Sequence, residues 1–213
     1  AIVVGSAARA DAFAARVAAL ARRLVVGHPL DEGVFMGPLA SEPALHKFEA
    51  GLAQARAQGG VAQVLASARL SPRGLAGSYA SPAVHRVLRR SGSAYETEEL
   101  FGPDLAVHDA SSLEEACAIA NGTAYGLAAS VHTADPARFE RCLSLLECGV
   151  VNHNAPTVGA SGRLPFGGLK RSGNHRPAGL FSTLYCTSPV AVLRGEPRLD
   201  RTKLSPGLTW VDE

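Results

Sequence analysis

The chain has 213 residues, of which 46% are hydrophobic and 19% charged, and it contains 22 Gly and 13 Pro. This composition is that of an ordinary globular protein and excludes intrinsic disorder, which requires low hydrophobicity together with high net charge. The 21 Lys and Arg residues against 19 Asp and Glu residues leave a net charge of +2, far too small for a nucleic-acid-binding surface. No apolar stretch is long enough to cross a bilayer, so the sequence predicts neither a nucleic-acid nor a membrane partner.

The cysteines indicate a reduced, cytoplasmic protein. Cys117, Cys142, Cys148 and Cys186 form no C-x-x-C pair, which excludes a zinc ribbon and a thioredoxin motif. Two of them fall inside predicted amphipathic helices, so we expect structural thiols rather than disulfides. The chain begins on an apolar run, residues 1–4, with neither an initiator Met nor a signal peptide, and we expect the front of a longer protein to be missing.

The first predicted elements are a strand at residues 2–4 and two amphipathic helices. The first helix is predicted to run to the Gly-His-Pro stop at 27–29 and to bury one apolar face, made of Phe13, Val17, Leu20 and Leu24. Ser41 is predicted to cap the second helix, with Pro43 in its first turn. The predicted buried face of this helix consists of Leu45, Phe48 and Leu52.

Strands and helices continue to alternate up to residue 151. Short apolar runs separated by Gly and Pro predict strands over 61–87, 105–107, 126–131 and 150–151. A capping-box pattern at 111–115 predicts a helix. Asp135-Pro136 predicts another, whose buried face would comprise Phe139, Cys142, Leu143 and Leu146. This alternation predicts an α/β domain with a largely parallel sheet flanked by helices.

The last part of the chain, from residue 152 on, lacks the regular alternation of strand and helix patterns. Residues 152–177 form a long Gly-rich stretch, and long irregular loops in compact domains are usually functional. Its Lys170 lies in the wrong place for a P-loop, and no G-x-S-x-G, H-E-x-x-H or G-x-G-x-x-G motif occurs in the chain. A strand pattern interrupted by Pro189 follows, which favours an edge or exchanged strand, and 195–213 is predicted to be an extended tail.

Several longer motifs resemble those of the aldehyde dehydrogenase superfamily. Residues 99–103 (ELFGP) resemble its E-x-F-G-P motif, residues 121–128 (NGTAYGLA) its N-x-T-x-Y-G-L-A segment, and residues 165–173 (PFGGLKRSG) its P-F-G-G-x-K-x-S-G loop. Residues 35–39 (FMGPL) and 172–177 (SGNHRP) narrow the resemblance to the succinylglutamate-semialdehyde dehydrogenase branch.

The resemblance implies a fold and a reaction. It implies that residues 1–183 belong to the catalytic domain, that 184–194 form a strand through which the protein assembles as a homo-oligomer, and that the N-terminal dinucleotide-binding domain is missing. The implied reaction is oxidation of an acidic semialdehyde of arginine catabolism, N-succinylglutamate 5-semialdehyde, to its carboxylate through a Cys thioester, with NAD or NADP as cofactor. The nucleophilic Cys and the general-base Glu are expected upstream of Ala1, so the chain alone is expected to be inactive.

The resemblance also assigns site residues. Glu99 would bind the ribose of the cofactor, since a carboxylate can accept two hydroxyl hydrogen bonds, and Phe101 would contact the nicotinamide ring. Phe166 would line the aldehyde tunnel. From the residues alone, a solvated Glu and two core aromatics remain open alternatives.

Two further groups are expected to bind the acidic part of the substrate. Gly159, Ala160 and Ser161 resemble a loop that binds a carboxylate through backbone N–H groups, although a plain flexible loop is an equal alternative. His175 and Arg176 offer an imidazole and a guanidinium for a dicarboxylate, and the equal alternative is that Arg176 pairs with a nearby carboxylate of the protein and His175 lies on the surface.

Two other classes of function stay open at this point. The chain is also compatible with a non-catalytic relative that acts as a binding or assembly subunit beside a chain that carries the Cys. The second of these classes is an unrelated α/β binding module whose Gly-rich loop binds an anion.

Overall fold

The structure is a computed structural model that describes residues 1–159, 161–173, 178–195, 200–209 and 211. The helices in these residues are α1 (Ala7–Ala21), α2 (Glu42–Ala57), α3 (Ala94–Thr97), α4 (Leu113–Asn121), α5 (Pro136–Leu145) and α6 (Ser182–Tyr185). The strands are β1 (Ile2–Val4), β2 (Val61–Leu65), β3 (Arg69–Leu70), β4 (Tyr79–Ala80), β5 (Ala83–Val87), β6 (Asp104–Ala110), β7 (Tyr125–Gly126), β8 (Ala128–Val131), β9 (Val150–His153), β10 (Pro165–Phe166), β11 (Leu169–Lys170) and β12 (Ala178–Gly179).

A four-stranded sheet forms the centre of the fold, in the order β1-β6-β5-β2. Its β1–β6 and β5–β6 pairs are parallel, and β2 joins the edge antiparallel to β5. A second parallel pair, β8–β9, lies further along the chain, and the pairs β3–β4, β7–β11 and β10–β12 are short and antiparallel. The predicted α/β class with a largely parallel sheet is confirmed.

Helices α1 and α2 cover opposite faces of this sheet. Val84 of β5 belongs to a buried cluster with the alanines of α1, whereas Ala83 and Val87 belong to a cluster with α2. Successive residues of a strand point to opposite faces, so this alternation separates the two layers. The predicted buried face of α2 is confirmed, with its Leu45 and Phe48 completely buried.

Local capping signals were sufficient to predict where several helices begin. The Ser41 hydroxyl accepts a hydrogen bond from the Ala44 N–H, and the Ser112 hydroxyl accepts one from the Glu115 N–H at 3.1 Å. Both bonds satisfy N–H groups that have no partner within the helix itself. None of the helices in the described part of the chain has the length and apolar character that a bilayer-spanning helix requires.

The predicted buried face of α1 is wrong at Phe13 and Leu20, although Val17 is half-buried and packs against the core cluster of this helix. Its buried side chains are the alanines Ala10, Ala14, Ala18 and Ala21, whereas Phe13 is 40% and Leu20 is 61% exposed. The helix has two apolar faces, one that contains Phe13 and one made of the alanines. The alanine face lies against the sheet, because its small side chains allow the helix backbone to approach closely. The helix also ends at Ala21 rather than near Gly27, because the carbonyl of Val25 accepts hydrogen bonds from the backbone of residues 35 and 36.

Two other predictions need correction. Leu143 of α5 is 45% exposed, and Cys142 is the buried residue of that helix, because α5 packs mainly against α4 and only a narrow stripe is covered. The strand predicted for 184–194 is wrong at its start, where Leu184 and Tyr185 lie in α6. Residues 187–195 have no strand partner among the described residues, and a strand requires one. The predicted extended tail contains a short 3₁₀ turn at Arg201–Lys203.

Arg86 joins three elements from a buried position in β5. Its side chain is 3% exposed, and it donates to Asp11 of α1 at 2.8 Å and to Asp109 of β6 at 2.7 Å. A further donor reaches the carbonyls of Val87 and Val107 at 3.0 and 2.9 Å. The buried guanidinium is therefore satisfied by two carboxylates and two backbone acceptors, which stabilises the contact between α1 and the sheet.

Replacing Arg86 is expected to destabilise the chain. Arg86→Met leaves two buried carbonyls without a donor, and we expect a loss of about 2–3 kcal/mol in the free energy of unfolding, measured by urea titration. Arg138→Met is the control, because Arg138 is 70% exposed in its ion pair with Asp135 and should cost less than about 0.5 kcal/mol. Equal losses in the two variants would contradict this account of Arg86.

Candidate functional site

A groove of about 330 Å³ lies between α2 and the segment that joins α3 to β6. Its polar lining includes the ammonium of Lys47 and the carboxylates of Glu98 and Glu99, and its floor is formed by small residues such as Ala50 and Gly51. A cation beside two carboxylates in an open groove provides acceptors for hydroxyl groups and a partner for an anion.

The structure places Glu99 in this groove and Phe101 next to one of its lining residues, Lys47. Glu99 lines the groove and is exposed. The Phe101 ring is 69% exposed, and the Lys47 Nζ lies 5.8 Å from its centroid. Phe101 also has a left-handed backbone with φ of 52°. This conformation costs about 1–2 kcal/mol for a residue with a Cβ, and such strain concentrates at ligand-binding sites.

The backbone of this segment lies unusually close to α2. A Cβ added to Gly51 would lie 2.5 Å from the Leu100 side chain, and one added to Gly102 would lie 2.2 Å from the Phe48 ring. Gly102 therefore requires glycine against the buried Phe48 ring, whereas a Cβ at Gly51 could be accommodated by moving the end of the Leu100 side chain. The two contacts fix the segment immediately before and after Phe101.

A buried hydrogen-bonded group lies beneath the same segment. The Tyr95 hydroxyl donates to Asp104 Oδ2 at 2.7 Å, and His85 Nδ1 lies 2.8 Å from Asp104 Oδ1. Burial, together with the charge of Asp104, raises the pKa of Tyr95, so the phenol stays protonated and donates.

Helix α3 was missed by the sequence reasoning, although a signal was present. The Glu96 carboxylate accepts from the Ser93 and Ser91 hydroxyls at 3.2 and 2.8 Å, in a capping box that begins the helix. The S-x-x-E pattern at 93–96 is visible in the sequence and predicts this start.

Tyr125 connects this segment to the Gly-rich loop. Its hydroxyl donates to Glu98 Oε2 at 3.3 Å, and its backbone pairs with Lys170 in the β7–β11 ladder. The Lys170 ammonium lies 2.6 Å from Glu147 Oε2 and donates to the Asn121 carbonyl at 2.7 Å. The three family-like motifs are therefore joined by side-chain contacts.

Close backbone contacts between glycines hold the Gly-rich loop in place. A Cβ on Gly149 would lie 1.7 Å from the Gly167 carbonyl oxygen. One on Gly126 would lie 2.2 Å from the Glu147 oxygen, and one on Gly168 would lie 2.5 Å from the Ser172 oxygen. These crossings leave no room for a side chain, so the loop is positioned by backbone contact rather than by a hydrophobic core.

The remaining predicted site residues lie on the Gly-rich loop. Phe166 is half-buried in β10, where its backbone pairs with Ala178 of β12. Gly159 and Ser161 are exposed, Gly159 has φ of 99°, and the Ser161 hydroxyl accepts from the Arg163 N–H at 3.2 Å. Ala160, His175 and Arg176 lie outside the described residues. Glu99 and Phe101 thus both lie near Lys47, and the described contacts connect Phe166 to their segment through the Gly-rich loop and Tyr125.

The cysteines occupy environments typical of structural thiols. Burial and the neighbouring Cys142 raise the pKa of Cys117 to about 11, so about one thiol in a thousand is ionised at pH 8. Burial also raises the pKa of Cys148, against the opposing charge of Lys170. Cys186 is exposed at the end of α6. The two raised pKa values oppose the thiolate that a nucleophile needs.

The α/β fold and the motif-bearing loops agree with one protein family. The profile of the aldehyde dehydrogenase family matches residues 2–192, and the chain belongs to that family. It is 42% identical, over 197 residues, to the N-succinylglutamate 5-semialdehyde dehydrogenase of Caulobacter sp. (strain K31). That alignment covers 92% of this chain and 39% of the relative.

Solved structures agree with the fold. Succinate-semialdehyde dehydrogenase from Burkholderia pseudomallei superimposes with a TM-score of 0.72 at 32% identity, over 82% of this chain and 35% of that one. Aldehyde dehydrogenase C from Pseudomonas syringae, solved with NAD⁺ and octanal, gives a TM-score of 0.73 at 32% identity over the same shares of the two chains. The chain therefore spans between a third and two fifths of the length of these proteins.

The glycine crossing provides a test of how the Gly-rich loop is held. Gly149→Ala places a methyl group against the Gly167 carbonyl, and we expect a loss of at least about 2 kcal/mol in the free energy of unfolding, with faster proteolysis between 155 and 173. Gly162→Ala is the matched control, because no atom lies within 4 Å of an added Cβ there. A Gly149→Ala variant as stable as the control would mean that the loop is held by other contacts.

Proposed function

We propose that this chain forms the nicotinamide end of the cofactor site and the aldehyde-binding loop of an NAD(P)-dependent aldehyde dehydrogenase. Its substrate is N-succinylglutamate 5-semialdehyde, which the enzyme oxidises to the carboxylate in arginine catabolism. The observation that carries the proposal is an exposed Glu99 that lines the groove, two residues before an exposed, backbone-strained Phe101 that lies beside Lys47 of the same groove. An aromatic residue that is both exposed and strained is difficult to explain by packing, and a ligand explains it.

The groove residues suit a nicotinamide nucleotide. The Glu99 carboxylate can accept hydrogen bonds from both hydroxyls of a ribose, and the open face of Phe101 can pack against a flat ring. Lys47, which approaches the same ring, adds a positive charge for the anionic part of the nucleotide. The cofactor, when bound, supplies the acceptor for the hydride that leaves the aldehyde carbon. The role of Glu99 and Phe101 is to orient that acceptor.

The Gly-rich loop suits an acidic aldehyde. Gly159, Ser161 and Gly162 are small and exposed, so a carboxylate could approach the backbone N–H groups there, and the exposed Arg163 adds a guanidinium. Phe166, half-buried at the end of this loop, would form a wall of the aldehyde tunnel, and His175 and Arg176 would bind the second carboxylate. The name of the Caulobacter relative, an N-succinylglutamate 5-semialdehyde dehydrogenase, supports a substrate of this charge.

The nucleophile is proposed to come from outside these 213 residues. Aldehyde oxidation of this type requires a thiolate that adds to the aldehyde carbon and a base that activates water to hydrolyse the thioester. The raised thiol pKa values of Cys117 and Cys148 make them unsuitable for the first step. The same observation favours a second candidate, a non-catalytic binding or assembly subunit that accompanies a separate chain carrying the Cys.

The segment 184–194 is proposed to pair with a second copy of the protein. Its apolar side chains are exposed, with Val190 at 81% and Leu193 at 100%. Residues 187–194 have no strand partner among the described residues, and an apolar segment can complete a strand only when another sheet edge is available. A homo-oligomer would supply that edge.

The carboxylate of Glu99 is testable in an assembled dehydrogenase that contains this chain. Glu99→Gln keeps the size of the side chain but removes the charge that strengthens hydrogen bonds to the ribose, so we expect the KM for NAD⁺ to rise about tenfold. Glu140→Gln, on the exposed side of α5, is the control and should leave KM unchanged. An unchanged KM in Glu99→Gln would refute the proposed cofactor contact.

Activity of the isolated chain is a second test. The chain alone, mixed with NAD⁺ and N-succinylglutamate 5-semialdehyde, is expected to form no NADH above background, and addition of a polypeptide that carries the nucleophilic Cys and base should produce turnover. Co-purification with such a separate chain would favour the subunit alternative. NADH formation by the chain alone, abolished by Cys148→Ser or Cys186→Ser, would show that the nucleophile lies within it.

A further inference from the structure

The segment that carries Glu99 and Phe101 begins and ends at two residues that bond to each other. Tyr95 lies in α3, just before this segment, and Asp104 is the first residue of β6, just after it. The 2.7 Å hydrogen bond from the Tyr95 hydroxyl to Asp104 Oδ2 therefore closes residues 96–103 into a loop with fixed ends. Fixing the ends of a loop reduces the number of conformations that it can adopt.

His85 attaches this closure to the centre of the sheet. It lies in β5, whose residues are all buried, and its Nδ1 lies 2.8 Å from the second carboxylate oxygen of Asp104. The side chain of His85 is completely buried and that of Asp104 is 8% exposed. A carboxylate only accepts hydrogen bonds, so Nδ1 carries the hydrogen, and Nε2 is left as a buried atom that has no partner among the described residues.

Burying the polar side chains of His85, Asp104 and Tyr95 costs free energy of desolvation. Burying a carboxylate requires that its hydrogen bonds be satisfied, and apolar residues of similar volume are often equally or more stabilising at such positions. What these hydrogen bonds add is one defined geometry, because their distances and directions are restricted. Phe101 requires such a restriction, since its left-handed backbone persists only where surrounding contacts enforce it.

We propose that His85, Asp104 and Tyr95 form a positioning triad that holds Glu99 and Phe101 in the geometry that binds the nicotinamide nucleotide. Tyr95 itself lines the groove, and the triad acts on Glu99 and Phe101 through the backbone of 96–103. This inference rests on the proposed function for the identity of the ligand. The ordering of the segment by the triad does not depend on that identity.

The experiment separates positioning from stability by comparing two variants of the 213-residue chain. Tyr95→Phe removes one hydroxyl and leaves a carboxylate oxygen without its donor. The triple variant His85→Leu, Tyr95→Phe, Asp104→Leu removes all the polar groups together, so that its thermal stability should return towards that of the original chain. If the triad positions the segment, amide hydrogen exchange of residues 98–103 rises about tenfold in both variants, and exchange in α4 and α5 stays the same.

Two further variants keep the test decisive. Asp104→Asn retains one oxygen and the side-chain volume, so it should fold where the others do not and should raise exchange at 98–103 by less than Tyr95→Phe does. Ser78→Ala removes a different partly buried hydroxyl, which donates to Glu42 at 3.0 Å, and should leave that exchange unchanged. Exchange at 98–103 equal to that of the original chain in both Tyr95→Phe and the triple variant would overturn the proposal.

The cofactor readout distinguishes the two proposals. In the assembled dehydrogenase, Tyr95→Phe and the triple variant should raise the KM for NAD⁺ several-fold while kcat changes less than twofold, because the segment binds the cofactor and does not react. If Glu99→Gln leaves this KM unchanged, the cofactor assignment fails, and hydrogen exchange still decides whether the triad orders the segment. If Glu99→Gln raises the KM for NAD⁺ and the triad variants do not, the triad does not position Glu99 and Phe101.

Discussion

Backbone contact between Gly149 and Gly167 is the constraint on which the Gly-rich loop depends. A loop built from small residues buries little apolar surface, so hydrophobic packing cannot hold it in one place. At this crossing the chain uses the absence of a side chain, since two backbones approach more closely than any Cβ would permit. Lys170 stabilises a second part of the loop through an ion pair with Glu147 and a hydrogen bond to the carbonyl of Asn121. The position of Phe166 follows from these contacts.

Elements with local signals could be predicted from the sequence, and elements decided by distant contacts could not. Ser41 and Ser112 mark helix starts because a capping hydroxyl bonds to a neighbour three residues away, within the reach of a sequence pattern. On α1, by contrast, the face with Phe13 and the alanine face both have helical spacing. The alanine face packs against the sheet, and the sequence of the helix alone does not show which of the two faces does so. Leu184 illustrates the same limit for strands, which depend on a partner that the segment itself does not encode.

The candidate site shows a similar division. Glu99 and Phe101 lie two residues apart, so their proximity was foreseeable from one motif. Lys47 comes from a different helix, and an exposed lysine on α2 carries no signal that it approaches the Phe101 ring. The triad of His85, Asp104 and Tyr95 is assembled from β5, β6 and α3, and only the parallel pairing of β5 with β6 brings its members together. Sequence reasoning identified the groups that would touch a ligand and missed those that hold them.

The hydrogen bond between Tyr125 and Glu98 links the two parts of the candidate site, the segment that carries Glu99 and Phe101 and the Gly-rich loop. Glu98 precedes the residues proposed to bind the cofactor, and the backbone of Tyr125 is paired with the loop proposed to bind the aldehyde. Free-energy coupling between two binding sites is reciprocal, so each ligand changes the affinity for the other by the same factor. A change in affinity that the phenol transmits from the nucleotide to the aldehyde loop would therefore act with equal size from the aldehyde to the nucleotide, whichever arrives first.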